Sequence, residues 1–308
     1  MDTLPVIAAF DGSDDSVRAL DWALDAARRR GTTLRVVHVR QYAAWAPAGI
    51  MLPLPPAGQE DPVLGEARTH LAERPAPPAV KYTAGDGAPS AALCELSAEA
   101  QLLVLGSRGR GGFASLLLGS NSLSTARDAE CPVVVVPRPG REQEDVPATE
   151  PGPRVVVGLN VDSPDDAALG FAFAEAAARD VRLQVVAAYP WPLHSGAGAP
   201  GEVVSVMADQ EAVEHETRVL ADGFLAPHRA RHPGVRAQAY VTPGDAAGRL
   251  VAAAHGAELT VVGRHRRRLL APARMIGSVT QAVLLHAPSP IAVVPPAPPE
   301  ERSDPAAP

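Results

Sequence analysis

The sequence predicts an α/β fold of two tandem units, each a doubly wound parallel sheet of five strands. Three observations support this prediction. The chain has 308 residues, which suits two domains of common size. Hydrophobic residues make up 46% of it but aromatic residues only 4%, so Val, Leu and Ala must fill cores of buried parallel strands under Ala-rich helices. Finally, short apolar strands recur in both halves of the chain.

The duplication sets the expected domain boundaries. Three pairs of segments correspond: Val6–Asp11 with Val155–Asn160, Leu102–Gly106 with Leu259–Gly263, and Val133–Val136 with Ile291–Val294. We therefore expect one domain over residues 1–140 and a second over 154–297. The segment 141–153 is polar, acidic and proline-rich, which is typical of a linker. The tail 298–308 is rich in Pro, Glu and Ala and is expected to be disordered.

Local signals place the elements of the first copy. Ser13 is a suitable N-cap for a helix that carries alanines at helical spacing and ends at Gly31. Pro62 and Pro89 suit the first turns of two further helices. The expected elements, in chain order, are strand Pro5–Phe10, a helix after Ser13, strand Leu34–Val39, helix Pro62–Glu73, strand Val80–Thr83, helix Pro89–Ala100, strand Leu102–Gly106, helix Ser120–Ala129 and strand Val133–Val136. The second copy repeats this order, with a longer helix over Val203–His232.

The strongest chemical signal is a glycine-rich loop between an apolar strand and a helix. It begins at Gly106, contains Gly109, Gly111 and Gly112, and ends at Gly119. Glycines allow close approach of the backbone to an anion and positive φ, and free N–H groups form an anion nest. Ser120 begins the next helix, whose N-terminus favours phosphate. The residues thus predict phosphate binding, the alternative being a flexible surface loop.

The spacing of this loop resembles a known family. Gly106-x2-Gly109-x9-Gly119-Ser120 matches the signature of ATP-binding universal stress proteins. The turn at Phe10–Ser16 and the last strand at Glu130–Pro137 resemble that family too. The likeness covers nearly the whole chain, twice. It implies the fold of that family, which is also called adenine-nucleotide alpha hydrolase-like.

The resemblance also implies roles for individual residues. Asp11 would contact the ribose or adenine end of the nucleotide, whereas its own sequence context fits a helix-capping or turn aspartate equally well. Val39 would meet adenine through its backbone. Phosphates and ribose would be held by Gly106, Gly109, Gly119 and Ser120. Further candidates are Arg108, at a variable position of the signature, and the donors Asn121 and Ser122. Asn121 departs from the family, in which an apolar residue is more usual.

The second copy has lost this pattern. Arg266 stands where the second glycine should be, the interval from Gly263 to Gly277 is one residue longer, and Asn160 replaces the aspartate. An arginine side chain would crowd the backbone that approaches phosphate. We therefore predict a weak or absent nucleotide site there. The basic run from Arg264 to Arg268 could attract an anion, but a solvated loop is the simpler expectation.

Composition excludes several other classes of function. A net charge of −7 disfavours nucleic-acid binding. Two cysteines, Cys94 and Cys131, make no disulfide framework, and His228 and His232 lack a third ligand for a metal site. The N-terminus has no signal-peptide pattern and no apolar run is long enough to cross a membrane, so a cytoplasmic location is expected.

The sequence thus favours a stress-response or regulatory module that binds ATP, with or without Mg²⁺, in its first half and turns it over little or not at all. The resemblance implies that the halves pair through their last strands as an intramolecular pseudo-dimer, which also covers exposed sheet edges, and two chains could associate further as a homodimer. Two alternatives remain open. One is a slow ATPase, for which the sequence names no general base. The other is an interaction scaffold that needs no nucleotide.

Overall fold

A computed structural model describes residues 3–41, 60–110, 117–140, 152–189, 200–264 and 276–297, with backbone alone for 200–209. The described residues form ten strands and eight helices. The strands are β1 (Val6–Ala9), β2 (Leu34–Arg40), β3 (Val80–Asp86), β4 (Leu102–Gly106), β5 (Val133–Val136), β6 (Arg154–Gly158), β7 (Arg182–Tyr189), β8 (Ala237–Pro243), β9 (Leu259–Gly263) and β10 (Ile291–Val294). The helices are α1 (Asp14–Arg30), α2 (Pro62–Ala72), α3 (Pro89–Ser97), α4 (Ser120–Asp128), α5 (Asp166–Arg179), α6 (Pro200–Arg231), α7 (Ala246–Ala253) and α8 (Ser278–His286).

Some of the sequence predictions fall outside the described residues. They concern the linker segment 141–151, the tail 298–308, Gly111, Gly112, and the basic residues His265, Arg266, Arg267 and Arg268.

All ten strands belong to one sheet, in the order β3-β2-β1-β4-β5-β10-β9-β6-β7-β8. The five strands of each half are parallel to one another. The halves join where β5 runs antiparallel to β10, with Val134 opposite Ala292. This is the pairing of last strands that the family resemblance implied. It covers two sheet edges whose backbone N–H and C=O groups would otherwise lack partners.

Helix α1 shows how local sequence fixes an element. The Ser13 hydroxyl accepts a hydrogen bond from the Ser16 N–H at 3.2 Å, which caps the N-terminus. Gly31 ends the helix with φ of 59°, a left-handed conformation that glycine adopts at little cost. Ala19 and Ala23 are fully buried, as their spacing predicts.

Strand β3 is longer than the sequence predicts, and α3 is shorter. β3 continues past Thr83 to Asp86 and pairs with β2 along its full length of seven residues. The residues past Thr83 are Ala84, Gly85 and Asp86, which carry no apolar alternation that would indicate a strand. The pairing with β2 extends it, and Arg40 Nε donates to Asp86 Oδ1 at 2.9 Å. α3 ends at Ser97 rather than Ala100.

Two apolar layers cover the two faces of the sheet, and each extends across both halves. One layer lies under α1, α2, α5 and α6, and the other under α3, α4, α7 and α8. Both consist largely of Val, Leu and Ala, as the composition indicates. No helix in the described ranges is both long and apolar enough to cross a membrane.

A buried arginine links the second half to the first. Arg264, which follows β9, is 8% exposed and donates through one guanidinium nitrogen to the carbonyls of Arg127, at 2.7 Å, and Ala129, at 2.6 Å. These carbonyls belong to the C-terminal end of α4, where a cation also opposes the negative end of the helix dipole. The expectation of a solvated basic loop is therefore wrong for Arg264, because the partner surface lies in the other half of the chain.

We expect Arg264→Met to lower the free energy of unfolding by about 1–3 kcal/mol, because the buried carbonyls lose a charged donor. Urea unfolding monitored by circular dichroism measures this change. The matched control is Arg218→Met, which removes an exposed i,i+4 pair with Glu214 and should cost less than about 0.5 kcal/mol. Equal effects of the two substitutions would contradict the structural role of Arg264.

Candidate functional site

A cavity of about 710 Å³ opens at the carboxyl ends of β1, β2 and β4. β1 pairs with β2 on one side and with β4 on the other, so the chain leaves β1 and later returns to its opposite flank. The strand order therefore reverses between β1 and β4. Open α/β sheets bind their ligands in the crevice formed at such a switch point.

All nine site residues predicted from the sequence line this one cavity. Asp11 follows β1, Val39 lies in β2, and α4 begins directly after Gly119. The remaining six are Gly106, Arg108, Gly109, Ser120, Asn121 and Ser122. The fold thus brings together residues that are far apart in sequence, and what they bind stays a prediction.

Asp11 connects the two loops that border the cavity. Its Oδ1 accepts two hydrogen bonds from Ser13, one from the N–H at 3.0 Å and one from the hydroxyl at 2.6 Å. Its Oδ2 accepts from the N–H of Arg110 at 3.0 Å. The turn role that its sequence context indicates is therefore present. The carboxylate also fixes the loop after β4 against the turn after β1.

At two glycines of the loop, limited space rather than φ disfavours a side chain. Neither Gly106 nor Gly109 has a positive φ. A Cβ on Gly106 would lie 2.6 Å from the backbone carbonyl of Asp15 in α1. A Cβ on Gly109 would lie 2.5 Å from Asp11 Oδ2. Gly119 differs, because a Cβ there would meet its nearest atom at an ordinary 3.4 Å.

The N-terminus of α4 faces the cavity without a side-chain cap. Its N-cap is Gly119, and no side chain in the described part of the chain accepts from its first turn. The N–H of Leu123 is the first that bonds back within the helix, to Gly119 O at 3.0 Å. The N–H groups of the three preceding residues, Ser120, Asn121 and Ser122, therefore remain available to an anion.

Not every donor expected in the loop is available. The N–H of Ser107 donates to Val136 O at 2.9 Å, and that of Arg110 to Asp11. The hydroxyl of Ser122 donates its one proton to Gly106 O at 2.8 Å. Donation from Ser122 to phosphate stays a prediction, for its backbone N–H rather than for its hydroxyl. The contact of the hydroxyl instead holds the end of β4 against the first turn of α4.

The positive charge expected at the loop is partly compensated. The Arg110 guanidinium donates to Gly12 O at 3.2 Å and pairs with Glu66 at 3.0 Å. Gly12 has φ of 76°, and a Cβ there would collide with that guanidinium. Arg108 is half-buried and lines the cavity.

A buried carboxylate in α1 contacts the start of the loop. Asp15 is 1% exposed and accepts a hydrogen bond from the Ser107 hydroxyl at 2.9 Å. Burial alone would raise the pKa of Asp15, but hydrogen bonds from Ser107 and Arg138 and the charge of Arg18 hold that pKa below its ordinary value. The carboxylate is therefore ionised at neutral pH.

Sequence reasoning missed one polar pair at the cavity. His38 lines it, and His38 Nδ1 lies 2.9 Å from Asp61 Oδ2. Asp61 also caps α2 by accepting from the N–H groups of Val63 and Leu64. Burial tends to raise the pKa of Asp61, but the contact with His38 and these backbone donors lower it. The order Asp61-Pro62 was a helix-start signal that could have identified the cap.

The equivalent region of the second half is built differently. Leu250 packs directly on Gly158, where a Cβ would lie 2.9 Å from Leu250 Cδ1. The side chain of Asn160, in the place of Asp11, accepts from the nearby Asp162 N–H at 3.1 Å. The predicted loss of nucleotide binding in this half stays a prediction. The packing of Leu250 on Gly158 is a second physical reason for it, besides the missing glycine.

Two other groups with potential chemistry have packing roles. His228 is completely buried, with Nε2 at 2.9 Å from Asp166 Oδ1. Its ring and that of His232 both stack on Phe173. Burial raises the pKa of the Cys131 thiol to about 12, so it is not a nucleophile at neutral pH.

Comparison with known proteins agrees with this architecture. The model of the universal stress protein family matches residues 4–137 and again 153–295. A universal stress protein of Mycobacterium tuberculosis is 33% identical over 301 residues, which cover 94% of this chain and 96% of the relative. A second one from the same organism is 31% identical over 302 residues, with the same coverage of 94% and 96%.

Solved structures share the fold. A functionally unknown protein from Pseudomonas aeruginosa has a TM-score of 0.62 at 17% identity, covering 95% of this chain and 92% of its own. A universal stress protein from Archaeoglobus fulgidus has a TM-score of 0.58 at 18% identity, covering 96% and 97%. Because the family model matches both halves and the relatives align along nearly the whole length, this chain belongs to the universal stress protein family, as two tandem copies of its domain.

Proposed function

We propose that the first half of this universal stress protein binds ATP, and that the chain acts in the cytoplasm as a stress-response or regulatory module. The observation that carries the proposal is the convergence of nine residues, chosen from sequence alone, on one cavity of about 710 Å³. This volume lies within the range of small-molecule sites.

The cavity offers different chemistry at its two ends. At α4, the N–H groups of Ser120 and Asn121 and the positive end of the helix dipole would hold phosphates. Arg108 would add a charged contact. At β2, the apolar wall that includes Val39 suits the flat face of adenine.

Magnesium would enter together with the nucleotide. Among the described residues, no group of three or more His, Cys, Asp or Glu side chains is arranged to hold a metal ion. Asp11 is the one carboxylate among the described lining residues of the cavity, and both of its oxygens already accept hydrogen bonds. A cation bound through the phosphates themselves is consistent with how Mg²⁺ accompanies ATP.

The structure offers a physical route from the nucleotide to the second half. Phosphate would bind at the N-terminus of α4, and Arg264 of the second half contacts the C-terminal end of the same helix. A small movement of α4 would therefore change the contact between the halves. Nucleotide would act as a signal to the extent that it binds two such arrangements with different affinity.

The direct test is mass spectrometry of ligand released from the purified chain, followed by calorimetric titration with ATP. We expect an adenine nucleotide to be released and ATP to bind at one site per chain. No released nucleotide and no heat at saturating ATP would contradict the proposal and favour a scaffold. Phosphate release that Asp11→Ala abolishes would instead favour the slow ATPase.

A further inference from the structure

Ser107 connects three elements around the start of the glycine-rich loop. It directly follows β4 and is completely buried. Its N–H donates to Val136 O of β5 at 2.9 Å, and its carbonyl accepts from the N–H of Gly119, the N-cap of α4, at 2.8 Å. Its hydroxyl donates to Asp15 Oδ2 of α1 at 2.9 Å. The start of α4 is thus connected through one residue to both β5 and α1.

The charge of Asp15 fixes the direction of the hydroxyl contact. An ionised carboxylate only accepts hydrogen bonds, so the Ser107 hydroxyl must donate its one proton to Asp15. A hydrogen bond to an ionised acceptor is roughly twice as strong as one between neutral groups. The contact therefore holds Ser107 more firmly against α1 than a neutral pair would.

Two arginines compensate the charge of Asp15 at its other oxygen. Arg138, which follows β5, donates through Nε to Asp15 Oδ1 at 3.2 Å, and Arg18 pairs with the same oxygen. Asp15 is 1% exposed, and neither it nor Ser107 is among the described residues that line the cavity at β1, β2 and β4. They therefore do not contact a ligand there directly.

These contacts concern one end of the cavity. The N–H groups of Ser120 and Asn121, which would hold phosphates, lie in the first turn of α4, directly after Gly119. Hydrogen bonds weaken steeply when the donor is displaced or tilted away from its acceptor. None of the hydrogen bonds of Ser107 or Asp15 given above involves β2, whose wall would hold adenine.

We propose that Asp15 is a positioning residue for the phosphates of the nucleotide, and that it acts through Ser107 on the N-terminus of α4. This inference rests on the proposed binding of ATP in the same cavity. The pair of Asp15 and Ser107 fixes where α4 begins relative to α1, and so where its free N–H groups lie. Breaking the pair should weaken the binding of ATP but not that of adenosine, which has no phosphate.

Calorimetric titrations of the full chain with ATP and with adenosine test the inference. We expect Ser107→Ala to weaken ATP binding about tenfold, because the start of α4 loses its connection to α1, and to change adenosine binding less than about twofold. The matched control is Ser97→Ala at the end of α3. It removes another buried hydroxyl, which accepts from the Glu130 N–H at 2.8 Å, and should alter neither affinity.

Asp15→Asn separates positioning from simple electrostatics. Removing a negative charge near phosphates would by itself raise ATP affinity. However, the two arginines donate to Oδ1, so the amide oxygen of asparagine would accept from them and its NH2 group would face Ser107, which could no longer donate there. We therefore expect ATP binding to weaken about fivefold, against the electrostatic trend. Asp25→Asn, the same change at an exposed pair with Arg28 on α1, should leave ATP affinity unaltered.

Several results would overturn the positioning role. These are an ATP affinity that either variant leaves unchanged or raises, and an equal weakening of ATP and adenosine binding. A wild-type chain that binds neither ligand would instead contradict the proposed function, and the inference would fall with it. Unfolding midpoints in urea without nucleotide establish that each variant is folded. If Ser107→Ala does not fold, the sign of the change in Asp15→Asn decides.

Discussion

Replacing Gly109 with arginine is expected to weaken ATP binding about 100-fold, which corresponds to about 2.8 kcal/mol. The first carbon of the new side chain would fall 2.5 Å from Asp11 Oδ2, so it must displace the carboxylate that connects the two loops of the cavity. The rest of the side chain would project at the cavity, which Gly109 lines. The substitution also copies the second half, where Arg266 replaces the second glycine of the signature.

Calorimetry with ATP measures this loss, and Gly223→Arg is the matched control. Gly223 is exposed on α6, and a Cβ there would meet no atom within 4 Å. The control therefore makes the same change of charge far from the cavity and should leave ATP affinity unaltered. Unchanged affinity in Gly109→Arg would mean that the nucleotide binds elsewhere.

Gly106→Ala should lower the free energy of unfolding by about 3 kcal/mol, through overpacking. The added methyl would lie 2.6 Å from the carbonyl carbon and oxygen of Asp15. These are backbone atoms in the first turn of α1, so no side-chain rotation can relieve the contact. β4 and α1 must separate, and the buried hydrogen bond between Ser107 and Asp15 stretches with them.

Urea unfolding without nucleotide measures this effect, and Gly119→Ala provides the comparison. Gly119 has φ of −76° and ψ of 149°, which alanine adopts freely, and its added methyl would have ordinary contacts. We expect a cost below about 1 kcal/mol, mainly from the weaker N-cap preference of alanine. If the two substitutions cost the same, the close approach of β4 to α1 would be wrong.

Most of the fold could be predicted because its signals are local. Ser13 and Gly31 mark the ends of α1, and apolar runs such as Val133–Val136 mark buried strands. The repeat of these signals predicted the duplication, whereas the pairing of the two last strands was implied by the family resemblance. The end of β3 was missed because pairing with β2, rather than any property of its own residues, extends it to Asp86.

The sequence predicted which residues would come together at the candidate site, but not all of the contacts made around it. The spacing from Gly106 to Ser120 identified residues that the fold gathers at one cavity. The pair of His38 and Asp61 was missed because it forms between β2 and the start of α2, across a long loop. The inward contact of Arg264 was missed because its partners lie in the other half of the chain.

By itself the sequence determined the family, the two tandem copies and a set of residues that line one cavity, since strand patterns, caps and motif spacing are encoded in neighbouring residues. Only the tertiary structure shows why a side chain is disfavoured at two glycines of the loop. At Gly106 a side chain would collide with the backbone of Asp15, at Gly109 it would have to displace the Asp11 carboxylate, and neither position has a positive φ. The physical reason is that steric exclusion acts between atoms that are close in space, and no spacing along the chain records that distance.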